Sequence, residues 1–206
     1  TNQLMVIDNG RGNPFTQVET ICTFLHSGSN IDKETEKEDA AEFAGENGVG
    51  TTAINALSKK LYFTIRRDGK IGTFTFVDGK MQEPVYTKGK ANDHGTAIVF
   101  IPDEKYLGKC TISPKELESW INNISYTVPS SIKITYNHIK KGKDLPATKV
   151  YHHPNGMEDL INEMVPSMMI KPIHIYTSSD EFEDKKTHCE TVITIADGDI
   201  SDAKNV

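Results

Sequence analysis

The sequence predicts an α+β fold, a two-layer sandwich with helices on one face of a mixed β-sheet. Three observations predict it. Two alternating runs, Leu61–Ile65 and Gly72–Phe76, are joined through Arg67-Asp68-Gly69-Lys70, which reads as a hairpin with an Asp-Gly turn. Apolar residues recur at helical spacing in Phe15–His26, in 48–58 and after Pro114. The order of these elements is strand, helix, polar stretch, helix, and then a meander of strands with helices inserted.

The first strand covers residues 3–8 and runs into Asp8-Asn9-Gly10-Arg11-Gly12-Asn13-Pro14. Glycine at alternate positions plus a proline marks a loop. A carboxylate at the end of a buried strand is costly unless it meets a specific donor or closes an Asx-type turn. From Phe15 to His26, Val18, Ile21, Cys22 and Leu25 fall on one helical face. Ser27–Phe43 is polar, with a dense run of charge from Asp32 to Asp39. Such a run suits a solvated surface, or a lid over a bound ligand.

Gly45-Glu46-Asn47-Gly48-Val49-Gly50 then leads into the 48–58 helix. Glycine lets a ligand approach the backbone closely. The helix start presents unpaired N–H groups and the positive end of its dipole. Together they suit an anion, most often phosphate. The glycine order is neither the dinucleotide-binding G-x-G-x-x-G nor a P-loop.

Beyond the hairpin, Asp78-Gly79 turns towards a strand at Val85-Tyr86, and Gly95–Ile101 is a strong strand ending at Pro102-Asp103. Ser113 caps a helix with Pro114 in its first turn, continuing through Leu117, Trp120, Ile121 and Ile124. Ile132–Tyr136 and Thr148–Tyr151 flank a polar hairpin tip containing Lys140, Lys141 and Lys143. Asn155-Gly156 opens a helix over Met157–Met164, and strands resume at Ile173–Tyr176 and Thr191–Ile195.

With 206 residues the chain can bury one sizeable core, or one domain and part of a second. A net charge of −6 argues against a main nucleic-acid grip, because phosphate backbones are held by basic surfaces. No apolar run approaches the roughly 18 residues of a membrane span, and no membrane partner is expected. The odd, widely spaced Cys22, Cys110 and Cys189 fit reduced buried thiols in a cytosol. His138, His152, His153, His174 and His188 have no carboxylate or cysteine at ligand spacing, so no metal site is expected from them.

Three segments in this order carry a resemblance: Val6–Pro14, then Gly45–Gly50 ahead of Asn55-Ala56-Leu57-Ser58, then Gly95–Phe100 with Pro102-Asp103. Phe24–Gly28 and Tyr151–Gly156 support it. The chain resembles, over essentially its whole length, the ATPase region of type IIA topoisomerases, the DNA gyrase B and topoisomerase IV group with its phage relatives. The resemblance implies the GHKL (Bergerat) ATP-binding sandwich over residues 1–170 and the first strands of a transducer domain over 171–206. It implies an ATP-hydrolysing topoisomerase, with ATP and Mg2+ as cofactors. ATP binding would close a dimer gate while a DNA-cleaving subunit or domain handles DNA elsewhere, in the cytoplasm of a bacterial cell or phage-infected host.

By the same resemblance, Asp8 accepts a hydrogen bond from the adenine amino group and Thr96 bridges to the base through water. Val6, Pro14, Ile21 and Ile98 line the base pocket. Gly10 and Gly12 are among the ATP-binding residues. Gly45, Asn47, Gly48, Val49, Gly50 and Thr51 form the phosphate loop. Arg67 stands at the mouth, Arg11 orients the family's catalytic glutamate and shapes the pocket, and both, with Asp8, Pro14 and Thr96, contact inhibitors. Glu46-Asn47 replaces a usual Leu-His, Asn13 replaces a usual isoleucine, a family lysine is unmatched near Asn30, and the lid is longer and more acidic than usual. These departures suggest a divergent, phage-like member. The family's general-base glutamate and magnesium-binding asparagine lie ahead of the first strand seen here, and its transducer lysine lies further on. The expectation is a fragment that binds ATP without hydrolysing it. Two other readings stay open. One is a different GHKL ATPase, which would share Asp-x-Gly-x-Gly but not Asn-Gly-Val-Gly followed by Phe-x-Pro-Asp. The other is a non-catalytic nucleotide-binding module, or half of a split gene needing a partner chain.

Overall fold

The computed structural model describes residues 3–25, 48–109, 111–139, 142, 148–165, 168–182 and 185–195, excluding the side chains of 177–189. The chain forms two compact units, Thr1–Thr111 and Ile112–Val206.

In the first unit, β1 (Leu4–Ile7), β2 (Ser58–Arg67), β3 (Lys70–Val77), β4 (Lys80–Met81), β5 (Val85–Lys88) and β6 (Gly95–Pro102) form one sheet in the order β1-β6-β2-β3-β4, with β5 also on β3. Every described pairing in it is antiparallel, so the mixed sheet expected from sequence is corrected. The reason is connective: β2, β3 and β4 follow one another through tight turns, and tight turns join antiparallel neighbours. Asp68-Gly69 and Asp78-Gly79 take positive φ at both central positions, as two-residue hairpin turns require.

The register sets the core. Leu61 faces Phe76 and Phe63 faces Phe74 across β2 and β3, while Phe100 and Ile98 on β6 stand opposite Leu61 and Phe63. These alternate residues share one face, and Val18 and Cys22 of α1 (Val18–Thr23) are buried with Leu61, Phe63, Ile65, Phe74 and Phe76. Phe15, in a 3₁₀ turn over Phe15–Gln17, stacks beside Phe74 with ring centres 6.4 Å apart.

The helix ends differ from expectation. The first helix does not run evenly from Phe15 to His26: its opening turn is 3₁₀ and α1 stops at Thr23, where Phe24 becomes extended and Leu25 is 62% exposed. The second helix, α2 (Gly50–Ala56), is shorter than 48–58, and Ser58 already starts β2. A one-turn helix, α3 (Glu104–Leu107), follows β6 without having been expected, with the Asp103 side chain accepting from the Lys105 N–H at 2.9 Å. The segment read as a lid lies outside the described residues.

In the second unit, α4 (Pro114–Ser125) is capped by Ser113 as expected, and Trp120 on it is 60% exposed. β7 (Ile134–Tyr136) pairs with β8 (Lys149–Tyr151), and α5 (Met157–Met164) precedes a longer hairpin than foreseen, β9 (Ile173–Phe182) with β10 (Lys185–Ile193). The buried Tyr126 donates its hydroxyl to Glu163 at 2.7 Å and stacks on His153. Glu118 takes both Lys149 and the Tyr151 hydroxyl.

Two of the histidines without a carboxylate at ligand spacing in the sequence meet carboxylates in the fold. His174 stands between Glu158 and Glu190, at 3.3 Å from each, and His153 is 3.9 Å from Glu163. Helix and sheet contacts supply carboxylates that linear spacing does not reveal. Among the described residues no group of three His, Cys, Asp or Glu is arranged to hold a metal ion, and no helix is long and apolar enough to cross a membrane.

Candidate functional site

The site grows from the end of β1. Asp8 follows the strand, and its backbone N–H donates to the Thr96 carbonyl at 2.8 Å, one further step of the β1–β6 ladder. Its carboxylate turns back on itself: Oδ1 accepts from the Thr96 N–H at 3.0 Å and from the Gly10 N–H at 2.8 Å. The second of these closes an Asx-type turn, so the turn and a specific cross-strand donor are both present. Oδ2 carries no hydrogen bond among the described residues, and neither does the Thr96 hydroxyl, on a residue only 7% exposed. A carboxylate fixed through one oxygen and open at the other is an oriented acceptor for a donor such as an exocyclic amine.

Beside it the register pairs Val6 with Ile98, on the same face as the core. Val6 is 57% exposed there, and Ile98 is partly buried against the core. The apolar strip that is sealed over β2 and β3 therefore opens at β1 and β6, next to Asp8. Pro14 is half-buried and its carbonyl accepts from the Gln17 N–H at 3.0 Å, starting the 3₁₀ turn. Ile21 on α1 is also half-buried.

The loop leans on the neighbouring strands. Arg67 donates to the Gly12 carbonyl at 2.9 Å, Arg66 to the Asp8 carbonyl at 3.3 Å, and His94 Nδ1 bonds the Gly10 carbonyl at 2.9 Å. Arg66 is also 3.8 Å from Asp93. Gly95, at φ 136°, lies so close that a Cβ there would overlap the Asp8 carbonyl oxygen. Arg11, Arg67, Asp68, Asp93 and His94 help to line an open groove of about 650 Å³ at this edge; Asp8 and Thr96 do not line it.

The predicted phosphate loop is described only from Gly48 onward, and Gly45 and Asn47 lie outside the described residues. Gly48 has φ 57°, Val49 precedes the helix, and Gly50 and Thr51 form the first turn of α2, with open space beside Gly50. This helix is fastened to α1: Thr52 donates its hydroxyl to the Phe24 carbonyl at 2.8 Å, and also lies 3.2 Å from that of Ile21.

Asp8, Thr96, Gly10, Gly12, Arg67, Val6 and Ile98 are thus brought together by direct bonds or register. Sequence reasoning gave no role to Arg66, Asp93 or His94. Each flanks a recognised motif, but only the pairing of β2 with β6 brings them onto the loop.

No family model matches the chain. Among curated relatives it is 30% identical over 171 residues to the B subunit of DNA gyrase from Spiroplasma citri, covering 78% of this chain and 26% of that protein. It is 28% identical over 204 residues to the B subunit of DNA gyrase from Helicobacter pylori, covering 94% and 25%. It is 31% identical over 136 residues to the B subunit of DNA topoisomerase 4 from Mycoplasma pneumoniae, covering 61% and 21%. The chain therefore spans about a quarter of the length of these relatives.

Among solved structures, the 43K ATPase domain of Thermus thermophilus gyrase B, in complex with an aminocoumarin, matches in fold with TM-score 0.67 at 24% identity, over 87% of this chain and 46% of that one. The ATP-binding domain of Francisella tularensis topoisomerase IV, in complex with a small-molecule inhibitor, matches with TM-score 0.62 at 25% identity, over 88% and 47%.

Proposed function

From the premise that this chain is a topoisomerase B-like region of the GHKL type, we propose that it binds ATP through Asp8 and serves the ATPase region of a type II DNA topoisomerase. The observation that carries the reading is the Asp8 carboxylate, oriented by Thr96 and Gly10 through Oδ1 and open at Oδ2. Oδ2 accepts the adenine amino group, and the Thr96 hydroxyl serves the base through a bridging water. Val6, Pro14, Ile21 and Ile98 supply apolar walls, whose burial by the ring adds affinity without direction. The backbone from Gly48 to Thr51 faces the phosphates with N–H groups that have no partner inside the helix. Arg11 and Arg67 border the mouth, where an inhibitor larger than adenine would meet them.

Mg2+ would accompany the phosphates and neutralise their charge. No described residue is assigned to hold it, and none is assigned to the chemical step; binding without turnover is the behaviour proposed for the isolated chain. The transducer would begin near Lys171, with β9 and β10 as its first strands. Dimer-gate closure, DNA passage, a DNA-cleaving partner and a cytoplasmic location are part of the same proposal.

The test is calorimetric titration with a non-hydrolysable ATP analogue and with an aminocoumarin, on the wild-type chain and on Asp8→Asn. Asparagine keeps the shape but offers N–H groups where an acceptor is needed. Binding should fall about ten- to a hundredfold, the range for a hydrogen bond to a charged group. Equal affinity of the two proteins for both ligands would remove Asp8 from the site.

A further inference from the structure

We propose that His94 is a positioning residue for the Asp8 carboxylate, acting through Gly10. The inference rests on the adenine-binding reading of Asp8. Alternate carbonyls of the loop accept from alternate side chains: Asp8 from Arg66, Gly10 from His94 and Gly12 from Arg67. All three donors come from the end of β2 or the approach to β6, where Arg66 and Gly95 are register partners. Past Asp8 the loop has left the sheet ladder, and side chains do the work that a neighbouring strand's N–H groups do elsewhere.

Gly10 is gripped at both polar ends. Its N–H donates to Asp8 Oδ1 at 2.8 Å, and its carbonyl meets His94 Nδ1 at 2.9 Å. A carbonyl can only accept, so Nδ1 carries the proton, in the neutral or the charged ring alike. The fit is close, since a Cβ on Gly10 would stand 3.1 Å from Asp8 Oδ1. Removing the imidazole frees one end of Gly10. Its N–H then no longer holds a fixed direction, Asp8 Oδ1 keeps only the Thr96 donor firmly, and Oδ2 loses its aim. His94 bonds the Gly10 carbonyl and not the Asp8 carboxylate itself, so it sets the angle at which the acceptor is presented.

Three variants of the whole chain separate this role from general stability. His94→Asn can place an amide N–H where Nδ1 stood, His94→Phe keeps a ring without a donor, and His94→Ala keeps neither. Two readouts are taken: amide hydrogen exchange of Gly10 without ligand, and calorimetric affinity for a non-hydrolysable ATP analogue. Exchange at Phe63 and Phe74 in the core reports whether each variant is folded.

The expected result is faster Gly10 exchange and about three- to tenfold weaker binding in the alanine and phenylalanine variants, the loss of one ordinary hydrogen bond. The asparagine variant should return both to about twofold of wild type or better, with core exchange unchanged throughout. Unchanged Gly10 exchange and affinity in His94→Ala would overturn the proposal, as would His94→Asn behaving like His94→Ala. If wild type binds no analogue while Gly10 exchange still follows His94, the adenine reading fails and the positioning of the loop by His94 stands.

Discussion

The side-chain amide of Asn55 reaches out of α2 and donates to the Cys22 carbonyl at 2.9 Å, where both residues are almost sealed from solvent. The same amide lies 3.1 Å from the Gly79 carbonyl at the β3–β4 turn. One side chain therefore ties the helix behind the proposed phosphate loop to α1 and to the sheet. Asn55→Ala leaves buried carbonyls without their donor and should destabilise the first unit by about 1–3 kcal/mol. Asn55→Asp should cost more, because it directs a buried negative charge at two carbonyl oxygens. Urea unfolding of both variants checks the order.

Gly95 is the narrowest point between β6 and the Asp8 loop. Gly95→Ala must accept a positive φ and push its methyl into the Asp8 carbonyl, so the loop has to move. A cost of about 1–3 kcal/mol is expected for the backbone alone. Unlike a core truncation, the substitution should also disturb the Thr96 amide, which NMR shifts would report directly.

Cys22 is fully buried between α1, which carries it, and the sheet, and burial pushes its thiol up to about 12. A thiolate is the reactive form, so Cys22 should resist alkylation near neutral pH until α1 lifts off the sheet. In a Cys110→Ser, Cys189→Ser background, its labelling rate should rise with urea in step with loss of the core. Rapid labelling in the native protein would contradict the packing.

Tyr126 carries a pH prediction. Burial first, and then its bond to Glu163, raise its hydroxyl from 10.0 to about 12. The folded form holds the proton more tightly, so the unfolded chain releases it first as pH rises. The stabilisation is complete below about pH 10 and is lost between there and about 12. Tyr126→Phe should be less stable at neutral pH, having lost the bond, yet should show a flatter alkaline decline. Chemical denaturation of both proteins across that window checks the sign.

The β2–β3 hairpin was legible because its Asp-Gly turn and its alternation agree with each other, and local agreement needs no distant partner. Motifs singled out Asp8 and Thr96, and the structure joins them through the Thr96 N–H on Asp8 Oδ1. Helix ends were not. Apolar spacing continues smoothly to Leu25, but the chain becomes extended at Phe24, and Ser58 is drawn into β2 by pairing with Pro102. His94 was illegible for a stronger reason: its partner Gly10 is 84 positions away, and only the register of β6 between β1 and β2 joins them.

The carbonyls of residues 8, 10 and 12 are held by side chains rooted in β2 and in the approach to β6, and both strands also carry the core. The shape of the Asp8–Gly12 loop is therefore stored in the sheet rather than in the loop. Sliding β6, together with β1, by one position against β2 would put the Arg66 and Arg67 donors out of step with their carbonyls at once. Loop order and core integrity should then fade as a single cooperative event on heating. A substitution as remote as one at Phe63 or Phe76 should be felt as a blurred orientation of the Asp8 carboxylate, with every residue of the loop still in place.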